Sequence, residues 1–455
     1  MSKKTAVQIR FAGTAAGDQI VRLPESLIKK KNIPLETPVP FKFGALTTQV
    51  TVVADGRANE MKMGEALARQ TGLPAGTSLL IDYQPATGTI RVGPLIGVLM
   101  SRISRLHPDK PFGSNDDFCR ELYDTCRTVG GFVYFFTPND ISSKSATLSG
   151  WIPHGTWRRG RFPVPDVVYN RLTTRRLENS PKVRQFVKGA KLRYHTHIFN
   201  EKFLDKSEVF QALGKVPALQ PFLPESHSLT SSQRFIAMLN KYPTVFLKPV
   251  RGSLGKGIIR ISRLDKGAFQ CQTLSMSGTK VRSFRSASAL IKMLAGKIKT
   301  RRYQIQQGID LIHVRNRPVD FRALVQKNIA GEWELTSIVG RVAGNNQFVS
   351  NLARGGTLYP ARTALRLSGM APGKVKSVHS RLKSAAVQLA KGLDQQLPYH
   401  FGELGVDLAV DHHGKVWLLE INSKPSKNDN TFMITGKARP SVKKVLQYSR
   451  FLADL

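Results

Sequence analysis

The chain has 455 residues, more than one ordinary hydrophobic core organises, so two or three domains are expected. Its 41% hydrophobic content, 37 glycines and 25 prolines are those of a globular protein and exclude a coiled coil or a disordered tail. Lys and Arg number 69 against 31 Asp and Glu, a net charge of +38 that favours a polyanionic partner: nucleic acid, an acidic protein or an anionic surface.

The longest apolar runs, 93–100 and 130–136, are too short to span a bilayer, and residues 1–10 lack the apolar stretch of a signal peptide. A soluble protein made and kept in the cytoplasm is expected. The basic surplus is concentrated: residues 151–193 hold eleven Lys and Arg against Asp166 and Glu178, and residues 278–302 hold eight with no acid. The three cysteines, Cys119, Cys126 and Cys271, have neither the number nor the spacing of a disulfide framework or a zinc site. Phe118, Cys119, Leu122, Cys126 and Val129 share one helical face, so the first two cysteines read as small core residues.

The first ninety residues repeat themselves with a period of forty. Glu25 matches Glu65, Leu27 matches Leu67, Ile33-Pro34 matches Leu73-Pro74, and Phe43 matches Tyr83. Each copy predicts a short helix, a proline turn and an alternating strand carrying Val39, Phe41 and Phe43 or Leu79, Ile81 and Tyr83. Neither copy can bury a core alone, so a pseudo-symmetric β-barrel over residues 1–94 is expected. The pattern resembles double-psi or swapped-hairpin barrels and points to binding or assembly. From residue 95 the pattern changes to a small α/β domain ending near 195. It has strands at 96–100, 132–136 and 167–169 and a helix over 115–129, with Ser114 as its N-cap and Asp116 and Asp117 in the first turn.

The chemistry begins at residues 244–261, Thr-Val-Phe-Leu-Lys-Pro-Val-Arg-Gly-Ser-Leu-Gly-Lys-Gly-Ile-Ile-Arg-Ile. Two β-rich runs flank Gly252, Gly255 and Gly257, whose missing Cβ atoms let backbone N–H groups close on phosphates. No Gly-x-x-x-x-Gly-Lys-Ser/Thr is present, so this is not a P-loop. Lys248 sits mid-strand, where burial is costly without an anionic partner. Downstream, residues 402–426 read as two antiparallel strands around a four-residue turn at 411–414. That turn sets Asp407 opposite Leu418, and the period of two then puts Glu420 and Asn422 on the same face. Two carboxylates and an amide oxygen, few enough to leave room for waters and phosphate oxygens, suit Mg²⁺. His412 and His413 fall at the turn tip, and His195 and His197 alternate on a strand; surface positions are expected for all four.

Lys248, the glycine hairpin and Asp407 with Glu420-Ile421-Asn422, in that order, resemble the ATP-grasp superfamily, over residues 196–455. Asn200-Glu-Lys202-Phe-Leu is similar to the first ATP-contacting lysine segment of bacterial glutathione synthetases. Gln304-Ile-Gln306-Gln307-Gly308-Ile309 resembles their adenine hinge, with Gly308 where relatives carry an aromatic. Asp320-Phe-Arg322 resembles their Asp-x-Arg step, and Ser350-Asn351-Leu-Ala-Arg354-Gly-Gly resembles a loop of the ribosomal-protein glutamate ligases. Residues 92–99 and 246–257 resemble the YheC/YheD family, associated with endospore coats.

The resemblance implies an α/β (α+β) ATP-grasp fold preceded by the small α/β domain and the barrel. It implies activation of a carboxylate by ATP and attack by an amine on the acyl phosphate. Lys202 and Lys248 would hold the α- and β-phosphates, with Gly252, Ser253, Gly255, Lys256 and Gly257 closing over them. Gln306, Gln307 and Ile309 would contact adenine, and Asp407, Glu420 and Asn422 would hold one or two Mg²⁺, or Mn²⁺. Arg322 and Arg354 would steady the acyl phosphate and the acceptor carboxylate, and Asn351 the γ-phosphate side. The +38 charge exceeds what a small amino acid needs, so an acidic peptide or protein substrate is expected. The setting implied is the mother-cell cytoplasm and the spore coat, with coat proteins or a paralogous subunit as partners. Two rivals are a coat or assembly protein that binds ATP without turnover, and a nucleic-acid binder. The latter would use Trp151, Trp157, Phe162 and Tyr169 interleaved with Arg158, Arg159 and Arg161.

Overall fold

The computed structural model describes residues 4–12, 19–55, 57, 59–104, 106–142, 145–252, 257–275, 278–300, 302–344, 355–427 and 438–455. Seven strands, Thr5–Phe11, Ile20–Leu23, Pro38–Phe43, Leu46–Ala54, Glu60–Met63, Ser78–Gln84 and Thr89–Gly93, close into a barrel. Alternating residues fill it, among them Ile9, Val21, Phe41, Phe43, Leu79 and Ile81, each at most 1% exposed. The two copies of the repeat meet across Ile20–Leu23 and Glu60–Met63, which pair antiparallel with Arg22 opposite Lys62. Those two residues are forty apart, so the repeat's pseudo-twofold passes through this pair. Each copy's helix, Glu25–Lys31 or Glu65–Thr71, ends in a left-handed cap, Asn32 or Gly72, the residue types that tolerate positive φ.

The second sheet runs Thr156–Pro163, Thr147–His154, Phe132–Phe136, Leu95–Leu99, Val167–Asn170 and His197–Phe199 in spatial order. Its helix is Asp116–Val129, capped by Asn115; Ser114 lies instead in the preceding single turn Gly113–Asn115, so the cap falls one residue later than its sequence signal. Cys119 and Cys126 are buried and unbridged, and burial raises both thiols well above their ordinary range. The basic stretch after residue 180 is a helix, Pro181–Tyr194, closed by His195 at φ 55°; His197 begins a strand, and both histidines are exposed. Barrel and second sheet share one hydrophobic core, to which the last helix, Pro440–Ala453, returns with Val442, Val445, Leu446 and Tyr448.

Two more sheets follow, each with its own core. The third runs Ser226–Ser228, Tyr303–Gln307, Thr244–Pro249, Ile259–Arg263, Phe269–Ser275 and Gly278–Phe284. Val245, Leu247, Ile259, Ile261 and Ile305 pack its inner face against Phe235 and Leu239 of helix Ser232–Lys241. By the period of two, Phe246 and Lys248 face the other way. The fourth runs Thr357–Pro360, Trp333–Val342, Arg317–Lys327, Glu403–Val410 and Val416–Asn422, backed by the helix Pro372–Gln396. Among the described residues no helix is long and apolar enough to cross a membrane.

Candidate functional site

The polar faces of the third and fourth sheets meet around Lys248 and Glu420. The hairpin carrying the predicted ligands has a different register from the one its sequence suggests. Val410 pairs with Val416, one residue beyond a four-residue turn, and a bulge between Asp407 and Leu408 adds a second shift. Asp407 therefore lies opposite Glu420, not Leu418. Two one-residue shifts restore the original parity, so Asp407, Glu420 and Asn422 still share a face.

Each of these groups has a basic or amide partner. Arg322, directly across from Asp407 in the neighbouring strand, donates to it through Nε and through Nη2, the latter at 2.9 Å. Arg341 donates to Asp407 at 3.0 Å and forms a two-pronged pair with Asp320 at 2.6 and 2.7 Å. Burial raises the Asp320 carboxyl even against Arg341. Lys206 Nζ lies 2.8 Å from Glu420, and Asn422 Nδ2 donates to Glu420 at 2.8 Å. Burial would raise the Glu420 carboxyl, but the charge and hydrogen bond of Lys206, with Asn422 and Arg322, hold it at about 2. Lys248 donates to Gln306 Oε1; burial pulls its ammonium down to about 8, although Glu420 and Asp407 favour the charged form. Lys206, Lys248, Arg322 and Arg341 against Asp320, Asp407 and Glu420 leave four positive and three negative charges. That balance of +1 welcomes a polyphosphate.

Lys202 is set apart, paired with Glu208 at 3.1 Å and with the Tyr399 hydroxyl. It is Lys206, four residues on at the start of the following helix, that stands on Glu420 and reaches the Gly252 carbonyl at 3.5 Å. Gly257 has a φ of 79°, which a side chain would resist. Gln306 and Gln307 are held by Ser226 Oγ and by the Glu225 backbone, and Ile309 is half-buried beyond them. Ser253, Gly255, Lys256, Asn351 and Arg354 lie outside the described residues.

Lys206 and Arg341 carry signals that the motif reading passed over. Lys206 is the first residue of helix Lys206–Gly214, where the helix dipole disfavours a cation. Arg341 falls opposite Asp320 in an antiparallel pair. His412 is exposed at the hairpin tip, 3.7 Å from Asp310, away from these carboxylates.

The site also fits its expected ligands by what it leaves unsatisfied. Gln304 lies opposite Lys248, and Phe246, Arg260 and Gln272 follow one another across three strands on the same face. Gln304 Oε1, Arg260 Nε and Gln272 Oε1 are buried without a hydrogen-bond partner. Buried polar atoms in native proteins are nearly always bonded, so these three atoms offer this face's free donor and acceptor capacity to a polar ligand or water. Among the described residues no group of three or more His, Cys, Asp or Glu could hold a metal alone. Glu420, Asp407 and the Asn422 amide oxygen form the partial oxygen set that suits Mg²⁺, which keeps waters and takes phosphate oxygens.

Holding a nucleotide between two antiparallel sheets, with a glycine-bearing hairpin at the edge of the cleft, is the arrangement of ATP-grasp proteins, a class of ATP- and Mg²⁺-using carboxylate–amine ligases. The chain belongs to the YheC/D-like ATP-grasp family, whose model matches residues 195–452. It is 29% identical over 341 residues to the endospore coat-associated protein YheD of Bacillus subtilis, covering 75% of this chain and 74% of that one. It is 24% identical to YheC of the same organism, over 68% of this chain and 85% of the other. Among solved structures, D-cycloserine synthetase DcsG aligns at TM-score 0.46 and 14% identity, over 78% of this chain and 99% of the other. The D-alanine–D-alanine ligase of Coxiella burnetii aligns at 0.46 and 13%, over 80% and 94%.

Proposed function

We propose that the protein is an ATP- and Mg²⁺-dependent carboxylate–amine ligase acting through an acyl phosphate on an acidic peptide or protein, in the service of spore coat formation. The observation that carries this reading is the Lys206–Glu420–Asn422 cluster beside Lys248 and the Arg322–Asp407–Arg341–Asp320 chain. It combines oxygen ligands for a metal with cations for phosphates and for a carboxylate.

Bound Mg²⁺–ATP supplies the phosphoryl group that activates the carboxylate. Lys248 and Lys206 neutralise phosphate oxygens, and Lys206 couples the glycine hairpin to Glu420 through the Gly252 carbonyl. Glu420 and Asn422 would hold the metal side, with Asp407, paired to Arg322 and Arg341, beside them. The Arg322 guanidinium, which donates twice to Asp407, would turn the same fork to steady the acyl phosphate. Positioning and charge neutralisation are the main demands of phosphoryl transfer. No single side chain is assigned as general base.

The test is ADP release with Mg²⁺ and ATP, with and without glutamate plus an acidic peptide pool, read beside intact peptide mass. Acceptor-dependent ADP with a mass gain of one dehydrated amino acid is expected. ATP binding with no ADP and no mass gain overturns the ligase in favour of an ATP-binding coat scaffold. That second reading draws on the names of the two relatives and on Asp407 being engaged by two guanidiniums. Glu420→Gln separates the two: a scaffold still assembles, whereas a ligase loses turnover about a hundredfold or more.

A further inference from the structure

Part of the basic residues of segment 151–193, Arg159, Arg161, Arg175, Arg176 and Lys182, lies along one path in the fold. At its outer end Arg158, Arg159 and Arg161 are exposed on Thr156–Pro163, the edge strand of the second sheet. Arg159 reaches Asp140 at 3.1 Å, and Lys182 reaches the carbonyl of the adjacent Asn139 at 3.4 Å. This brings the edge strand beside the start of helix Pro181–Tyr194. Just before that helix stand Arg175 and Arg176, and Arg175 donates to the Leu204 carbonyl and lies 5.3 Å over the Phe203 ring. The next residue, Asp205, faces Arg251 at 3.7 Å, and Lys206 sits on Glu420 at 2.8 Å. Arg159 and Lys182 thus meet at Asn139 and Asp140, Arg175, Arg251 and Lys206 meet at 204–206 beside Glu420, and the short stretch from Arg175 to Pro181 joins the two groups.

The acids along the way are turned to internal tasks. Asp140 is 6% exposed, Glu178 is buried against Lys424, and Asp205 caps a helix through the Ser207 N–H. Arg158, Arg176 and Arg184 are exposed and have no acidic partner among the described residues. Single-stranded nucleic acid binders need exposed rings for base stacking. Here Trp157, Phe162 and Tyr169 are at most 9% exposed and pack on Phe112, Tyr134 and Phe199, and Trp151 is half-buried against the same core. What remains on the surface is charge and guanidinium forks, which suit carboxylates.

We propose that this track docks an extended polypeptide rich in Asp and Glu and leads its reacting side chain to the cleft beside Glu420. What happens at the inner end rests on the ligase reading; the docking does not. The experiment measures binding of a fluorescent oligoglutamate peptide to the full chain by anisotropy at low salt, without ATP. The track variant Arg161→Ser, Arg176→Ser, Lys182→Ser, in which Arg161 shares the Arg159 face of its strand, is compared with Lys280→Ser, Arg282→Ser, Arg285→Ser. The latter removes equal charge from the far edge of the third sheet.

The track variant is expected to weaken peptide binding ~10-fold or more and the control variant far less, with ATP affinity unchanged in both. Equal losses in both variants reduce the effect to net charge and overturn the proposal. Tighter binding of an oligonucleotide of matched charge, lost in the track variant, overturns it in favour of nucleic acid. A peptide that docks on the track without mass gain under turnover conditions removes the ligase and leaves the track. Mass gain undiminished in the track variant, with sub-saturating peptide, removes the track and leaves the ligase.

Discussion

Lys248 holds a part-buried ammonium whose proton is held less tightly than an exposed lysine's. Its pKa of about 8 arises because burial outweighs the nearby Glu420 and Asp407, so ATP would be bound best by the form present below that pH. ATP affinity is therefore expected to be flat from about pH 6 to 8. It then falls by up to about tenfold per unit above 8, until the ATP-bound lysine titrates in turn. The same group acts on stability with the opposite sign. The unfolded lysine titrates near 10.4, so the ligand-free fold carries its full penalty below pH 8 and is relieved as pH rises toward about 10.4. Calorimetric titration with ATP across this range, in wild type and in Lys248→Met, checks the first statement: the variant binds weakly and without the decline. Gly308 shows why some residues mislead in sequence. The resemblance to glutathione synthetases leads one to expect an aromatic there, but a Cβ at Gly308 would come 2.5 Å from the Thr244 carbonyl oxygen, which accepts the Gly308 N–H at 2.8 Å. Only glycine lets the hinge approach that strand, and Gly308→Ala is expected to cost about 1–3 kcal/mol in urea unfolding.

At the scale of elements, the candidate site was legible because strand parity survives errors of register. Asp407, Glu420 and Asn422 share a face although the turn is longer and a bulge intervenes, since two single shifts preserve the period of two. Their partners were less legible. Lys206 begins the helix that follows the lysine the motif singles out, and Arg341 comes from a strand with no motif of its own. Both become visible only when neighbouring strands and helix ends are brought together. The cross-strand pairs Asp320–Arg341 and Arg322–Asp407 are an interleaved quartet, and removing one member leaves a buried charge poorly matched. Arg341→Leu should destabilise the protein by about 3–5 kcal/mol, measured by urea unfolding. Substituting Asp320→Leu together with Arg341→Leu should recover most of that loss, because the uncompensated carboxylate goes with its partner. If the double variant is no better than the single, the pair is not the source of the effect.

For the whole molecule, the order of the chain is not the order of packing. The barrel and the second sheet precede the ATP-grasp sheets, and the composition break near residue 95 suggests separate bodies, yet a single core joins the first two. The last helix closes that core from the far end of the sequence, with Arg439 on Glu121 at 2.6 Å and Tyr448 against Phe199 at 5.5 Å. No local pattern signals such a return, since the helix has ordinary amphipathic spacing and would pack equally well on any apolar face. Between these ends, the segment after Asn422 is clamped to the earlier body. Lys424 pairs with buried Glu178, and Lys427 pairs with Glu403, which also accepts hydrogen bonds from Tyr169, Arg171 and Gln326. The strand that carries Glu420 is thus tied at its exit to Glu178 of the short helix Arg175–Glu178 and, through Glu403, to Tyr169 of the second sheet. Truncating Val445 and Leu446 to Ala should therefore lower the stability of the barrel-bearing half, by about 2–5 kcal/mol per site. Hydrogen exchange reads this locally: amides in Phe132–Phe136 and Val167–Asn170 should lose protection while those in Thr244–Pro249 keep theirs. Loss confined to the last helix itself would mean that it decorates the core rather than completes it.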